Sequence, residues 1–132
     1  MRIRPKILDI LELSKDIMFN EFDENSFDSR KYETFMMANA ITIATRQLKF
    51  GDGPERKELN KLLNLTNPLA SPEASMENRL ANVYSHVCLE IRKGNFDPDT
   101  KNHKELRNIL NDAALQLVKE YNPKYLEGNR NK

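Results

Sequence analysis

The stretch MENRLANVYSHVCLEIRKG, residues 76–94, decides the fold class. In it Met76, Leu80, Val83, Tyr84, Val87, Cys88 and Ile91 recur at intervals of three and four. With about 3.6 residues per helical turn, that spacing puts them on one face of an α-helix. A half-buried strand would need strict alternation instead. Upstream, Ser71 offers an N-cap hydroxyl, Pro72 suits a first turn and Glu73 complements the helix dipole. Downstream, Gly94 can adopt the left-handed conformation that ends a helix at about Lys93.

The same logic extends outward. Toward the C-terminus, Asn95 to Thr100 reads as a turn around Asp97-Pro98-Asp99. Asn102 with Glu105 three residues on resembles a capping box. Leu106, Ile109, Leu110, Ala113, Ala114, Leu117, Val118 and Tyr121 then share one face of a helix that Pro123 ends. Tyr125 and Leu126 are expected to fold back, and residues 127–132, with no apolar side chain, to form a frayed tail. Toward the N-terminus, Asp52-Gly53-Pro54 opens a short helix carrying Leu59, Leu62 and Leu63. Before it, a helix from Arg30 to Phe50 stops at Gly51. Its Met36, Met37, Ala40, Ile41, Ile43, Ala44 and Leu48 cover more than one face, the mark of a central helix. The first helix is predicted from Pro5 to Phe19, with Ile7, Leu8, Ile10, Leu11, Ile17 and Met18 forming its stripe. An acidic connection, Glu21 to Ser29, follows. The class is all-α: a single-domain antiparallel helix bundle over 1–126, with four main helices and one short one.

Charge and length narrow the function. The 132 residues carry 21 basic and 20 acidic side chains, a net charge of +1. Up to Thr66 there are 11 of each sign, and beyond it 10 basic and 9 acidic, so no half is basic. Nucleic-acid binding by a charged face is therefore not expected. Cys88 is the single cysteine, and the start Met-Arg-Ile-Arg-Pro has no apolar signal core. The most apolar run, Phe35 to Ala44, is too short to span a bilayer. A cytoplasmic protein with no membrane attachment is expected.

Catalytic signatures are scarce. His86 and Cys88 stand two apart, on nearly opposite sides of a helix, so they form no local metal pair. Cys88 reads as a buried thiol. Asp97 and Asp99 hint at a calcium loop, but Lys101 occupies the next ligand position. No phosphate-cradling glycine-rich loop occurs. No cofactor, metal or catalytic residue is assigned. Two polar groups remain as contact candidates. Asn39, Thr42 and Arg46 lie at i, i+3 and i+7 on an otherwise apolar helix. Inside a bundle they would pin neighbouring helices; at a surface they would meet a partner subunit or an anionic ligand, with the planar Arg46 fork as anchor. Arg92 and Asp97 flank Gly94 at the end of the next long helix, where Asp97 could pair with Arg92 across the turn.

Four motifs together resemble a family of small, uncharacterised bacterial all-α domains found beside or fused to aminoglycoside-phosphotransferase-like kinases and acyl-CoA dehydrogenases. The matching residues are Arg4-Pro5, ANAITIATRQLKFG from Ala38 to Gly51, CLEIRKGNFD from Cys88 to Asp97, and NPKYL from Asn122 to Leu126. Asn39, Arg46, Gly51, Arg92, Gly94 and Asp97 fall on its motifs. The chain departs from the pattern at Phe35 and at Gln47, where a basic residue and a glutamate are expected, and in a longer segment from Asn67 to Ser75. The resemblance implies a non-catalytic accessory subunit of a phosphotransferase-like kinase in hydroxyacyl-CoA catabolism. The alternative is a stand-alone bundle binding a small acyl-type or anionic ligand. The apolar breadth of the central helix is also compatible with a homo-oligomer.

Overall fold

Six α-helices and no strand occur among the described residues, as the all-α reading requires. The computed structural model describes residues 6–20, 27–68 and 74–128. The helices are α1 (Ile7–Asn20), α2 (Phe27–Phe50), α3 (Gly53–Thr66), α4 (Met76–Arg92), α5 (Lys101–Tyr121) and α6 (Lys124–Gly128). They fall into two compact units, Arg2–Gly51 and Asp52–Lys132.

In the first unit α1 packs against α2. Ile10 and Ser14 of α1, with Ala44 and Gln47 of α2, are its buried side chains among the described residues. The Ser14 hydroxyl donates to the Ile10 carbonyl at 2.8 Å, which satisfies it in place. α2 begins at Phe27, so the end of the acidic connection is already helical; Glu21 to Ser26 lie outside the described residues, as do Arg4 and Pro5. Tyr32, Phe35, Met36, Ile41, Leu48 and Phe50 are exposed. Within its unit α2 has one packing neighbour, and one neighbour covers one side of a helix.

In the second unit α3 packs against both α4 and α5, and α6 against α5. Leu59 and Leu62 of α3, Leu80, Val83 and Val87 of α4, and Leu106 and Ile109 of α5 form the core, with Phe96 from the α4–α5 turn. Leu63, Leu65, Met76 and Tyr84 pack around it. α3 is not the short helix expected: at 14 residues it equals α1 and ends at Asn67, whose φ of 43° is left-handed. An Asn side chain tolerates that conformation better than most. Lys61 Nζ meets Asp112 Oδ2 at 3.0 Å between α3 and α5; both are exposed, so the pair adds little stability.

Helix ends show where local chemistry competes. The described cap of α4 is Ser75, whose Oγ accepts from the Asn78 N–H at 3.2 Å; Ser71, Pro72 and Glu73 lie outside the described residues. α5 is capped at Thr100, not at Asn102. Thr100 donates its N–H and its hydroxyl to the Asp97 carbonyl, at 2.8 and 2.7 Å, and the chain turns helical at Lys101. Asn102 and Glu105 are thereby helical and make no capping box. The stop at Gly51 occurs where expected, with φ of 61°.

Gly94 is the more constrained glycine. Its φ is 83°, and a Cβ there would stand 3.1 Å from Asp97 Oδ2. Gly94→Ala is expected to cost about 1–2 kcal/mol, the penalty of a left-handed non-glycine residue, plus the crowding of Asp97. Urea denaturation measures it, with Gly53→Ala as control: Gly53 has open space and no positive φ. Glu127 and Gly128 belong to α6, while residues 129–132 lie outside those described. Tyr125, expected to dock, is exposed; Leu126 is half-buried.

Candidate functional site

The candidate residues divide between the two units. Asn39, Thr42 and Arg46 belong to α2; Arg92 and Asp97 belong to the end of α4 and the turn after it.

On α2, Asn39 and Thr42 are exposed and Arg46 is half-buried. The Thr42 hydroxyl donates to the Ala38 carbonyl at 2.6 Å, so its hydrogen is committed within α2. The buried polar residue of this helix is Gln47, 1% exposed. Apolar spacing did not single it out, although it is the position where the resemblance led to an expectation of glutamate. A neutral amide is far less costly to bury there than a carboxylate.

At the α4–α5 turn, Arg92 and Asp97 are both exposed. Among the described residues no ion pair joins them, so the expected pairing is corrected. Asp97 instead closes the turn with its backbone: its N–H donates to the Gly94 carbonyl at 3.2 Å and its own carbonyl holds Thr100. Beneath them Phe96 is buried, and the His103 ring Nδ1 lies 3.0 Å from the Phe96 carbonyl. Glu90 accepts from the Asn95 amide and from Lys93 Nζ. Those hydrogen bonds, Asn95 first, hold its carboxyl below the ordinary carboxylate range. The turn thus presents Arg92 and Asp97 on a braced scaffold. Leu89, one helical turn before Arg92, is 50% exposed, and Ile91, on nearly the opposite side of α4 from Leu89, is 47% exposed. Cys88 is exposed too, against expectation. The packed line of α4 runs through Leu80, Val83 and Val87, and Cys88 and Ile91 lie off it.

One polar pair joins half-buried Tyr84 to buried Glu58, which lies outside the apolar spacing. The Tyr84 hydroxyl donates to Glu58 Oε1 between α4 and α3, and Glu58 is 7% exposed. Tyr84 belongs to the apolar stripe, and a tyrosine hydroxyl drawn in from water needs a partner; that need is the signal that could have found Glu58. Burial raises the Tyr84 pKa above its usual 10.0. The folded state therefore holds the phenol proton more tightly than the unfolded chain. This contribution is complete below pH 10 and is lost as pH rises through the raised folded value. Tyr84→Phe is expected to flatten the loss of stability between pH 9 and pH 11, and to cost about 1–3 kcal/mol at neutral pH by stripping a donor from Glu58. Chemical denaturation at the three pH values checks both effects.

An open depression of about 480 Å³ lies where α3 ends beside α4, lined by Asn67, Pro68, Asn82, Val83, Ser85, His86 and Leu89. None of the candidate residues lines it. Among the described residues, no three His, Cys, Asp or Glu side chains converge as metal ligands would, and no helix is long and apolar enough to cross a membrane.

The fold defines a small all-α protein in which Asn39, Thr42, Arg92 and Asp97 are exposed and Arg46 is half-buried. The chain belongs to the family described as Domain of unknown function (DUF6285), whose model matches residues 25–125. That match runs from just before α2 into α6 and leaves α1 outside it. Neither the curated proteins nor the solved structures give a match.

Proposed function

We propose that this chain is a non-catalytic accessory subunit of an aminoglycoside-phosphotransferase-like kinase in hydroxyacyl-CoA catabolism, acting in the cytoplasm. The kinase phosphorylates the hydroxyl of the acyl-CoA, and an acyl-CoA dehydrogenase-like enzyme acts on the product. The resemblance in the four motifs supplies the pathway. The observation that carries the docking role is that Leu89 and Arg92, three residues apart on one face of α4, are both exposed, as is Asp97 on the turn that follows. This surface combines apolar area with two opposite charges on a turn held by Phe96 and Gly94, and a preorganised surface loses little entropy on binding.

A ligand-binding domain has less support. Among the described residues that line the depression beside α4 there is no Lys or Arg, so they offer an anionic acyl carrier no fixed cation.

Arg92→Glu tests the docking surface. Arg92 is exposed, so the fold should survive the change. Affinity for the kinase is expected to fall about tenfold to a hundredfold by calorimetry, in the range of a hydrogen-bonded charge lost from an interface. An unchanged affinity would remove this cluster from the contact.

A further inference from the structure

α4 ends on a stop whose two backbone bonds are joined by a side-chain clasp. The Asn95 N–H donates to the Glu90 carbonyl and the Gly94 N–H to the Ile91 carbonyl, each at 3.0 Å. With Gly94 at a φ of 83°, these are the two nested bonds of a Schellman stop. In such stops the residue after the glycine commonly packs an apolar side chain against the helix residue five positions back. Here those two positions are Asn95 and Glu90, and the contact is polar. The Asn95 amide donates to Glu90 Oε2, and Lys93 Nζ donates to Glu90 Oε1 at 3.2 Å. Each carboxylate oxygen has its own donor, and Asn95 is held by its backbone and by its side chain.

We infer that Glu90 is a positioning residue for the Arg92–Asp97 surface: its clasp on Asn95 fixes the left-handed exit of α4, and with it the placement of Asp97 relative to Arg92. This role rests on the docking reading above. Three observations lead to it. First, Gly94 stands between the two charges in the chain. An unconstrained glycine populates positive and negative φ about as readily. Second, the clasp spans that glycine. Glu90 lies before it and Asn95 directly after it, so Gly94 cannot change hand without breaking the Asn95 bonds. Third, Asp97 is built on the same conformation. Its N–H donates to the Gly94 carbonyl at 3.2 Å, and its Oδ2 lies 3.1 Å from where a Gly94 side chain would begin. A change of hand at Gly94 therefore moves Asp97 relative to Arg92.

Phe96 does not supply this constraint alone. It anchors the chain in the core one residue beyond Asn95 and leaves Gly94 between that anchor and the end of α4. Holding the glycine before a partner arrives removes part of the ordering cost of binding. The clasp needs an acceptor at position 90, because the Asn95 amide group facing it is a donor. Glu90→Gln keeps a carbonyl acceptor there, and Glu90→Ala has none. The Lys93 arm matters less. The Lys93 side chain is 65% exposed, and an exposed ion pair adds little.

Amide exchange on the full chain, with calorimetry against the phosphotransferase-like kinase, tests it. Glu90→Ala is expected to speed exchange at the Asn95 and Asp97 amides about tenfold, with the middle of α5 unchanged. It is expected to weaken kinase affinity about threefold to tenfold, the range for ordering one further side chain. Asn95→Ala should match it in both readouts, and the double variant should lose no more than either single one, because the two residues act as a unit. Glu90→Gln should stay within about twofold of the wild type, since its carbonyl still accepts from Asn95. Unchanged exchange in Glu90→Ala overturns the clasp, and so do additive effects of the two substitutions. Faster exchange with undiminished kinase affinity, beside a loss in Arg92→Glu, overturns the positioning role and leaves the docking surface standing. Undiminished affinity in Arg92→Glu as well overturns the docking reading and the positioning role with it, while exchange still decides the clasp.

Discussion

Phe96→Ala should destabilise the Asp52–Lys132 unit by about 3–5 kcal/mol, the range for truncating a buried phenylalanine. Phe96 is 8% exposed and stands in the core beside residues of α3, α4 and α5. It comes from a turn, so its loss acts twice. It opens a cavity, and it removes the apolar anchor beneath the Gly94–Thr100 hydrogen bonds. Domains of this size hold only about 5–15 kcal/mol in total, so the variant would lose a large share of its stability. The midpoint of urea denaturation should shift down by about 2–5 M if the slope is about 1–1.5 kcal/mol/M. The turn contribution separates from the cavity through amide exchange. Asp97 and Thr100 N–H groups, both bonded within the turn, should lose protection more than those in the middle of α5. A shift below about 1 kcal/mol would mean that Phe96 is not a core residue.

Leu62→Ala should cost about 2–5 kcal/mol by the same measurement. Leu62 is 0% exposed and lies on α3, the helix that packs against both α4 and α5. A hole there sits between two helix contacts, so neither neighbour can close it without giving up the other. Leu63, half-buried at the rim, is the control: Leu63→Ala should cost distinctly less because part of its surface is already wet. Equal effects at the two positions would contradict the placement of the core.

The all-α class was legible in the spacing of Leu80, Val83 and Val87, which are the buried residues of α4. Gly51 and Gly94 were legible as stops because the left-handed conformation excludes most other residues. Phe96 was not, since a single aromatic in a turn has no period. Gln47, Glu58 and Glu120 are buried, and a pattern built from apolar residues passes over all three. α2 was ambiguous for a different reason. Its apolar residues surround the helix, so their spacing leaves open which side faces α1. The alignment of Asn39, Thr42 and Arg46 on one face could be read from their numbers; that Asn39 and Thr42 are exposed could not. At the α4–α5 turn, the position of Arg92 at a helix end was legible. The exposure of Leu89 and Ile91 depends on which line of α4 meets α3, and that is a property of packing.

The accessory-subunit account meets its most direct test in the kinase reaction itself. The phosphotransferase-like kinase is assayed for phosphorylation of a hydroxyacyl-CoA alone, with this chain, and with the Arg92→Glu variant. The account predicts low activity or low thermal stability of the kinase alone, restoration by the wild-type chain at stoichiometric amounts, and poor restoration by the variant. Equal phosphorylation and equal kinase stability with and without the chain would contradict it.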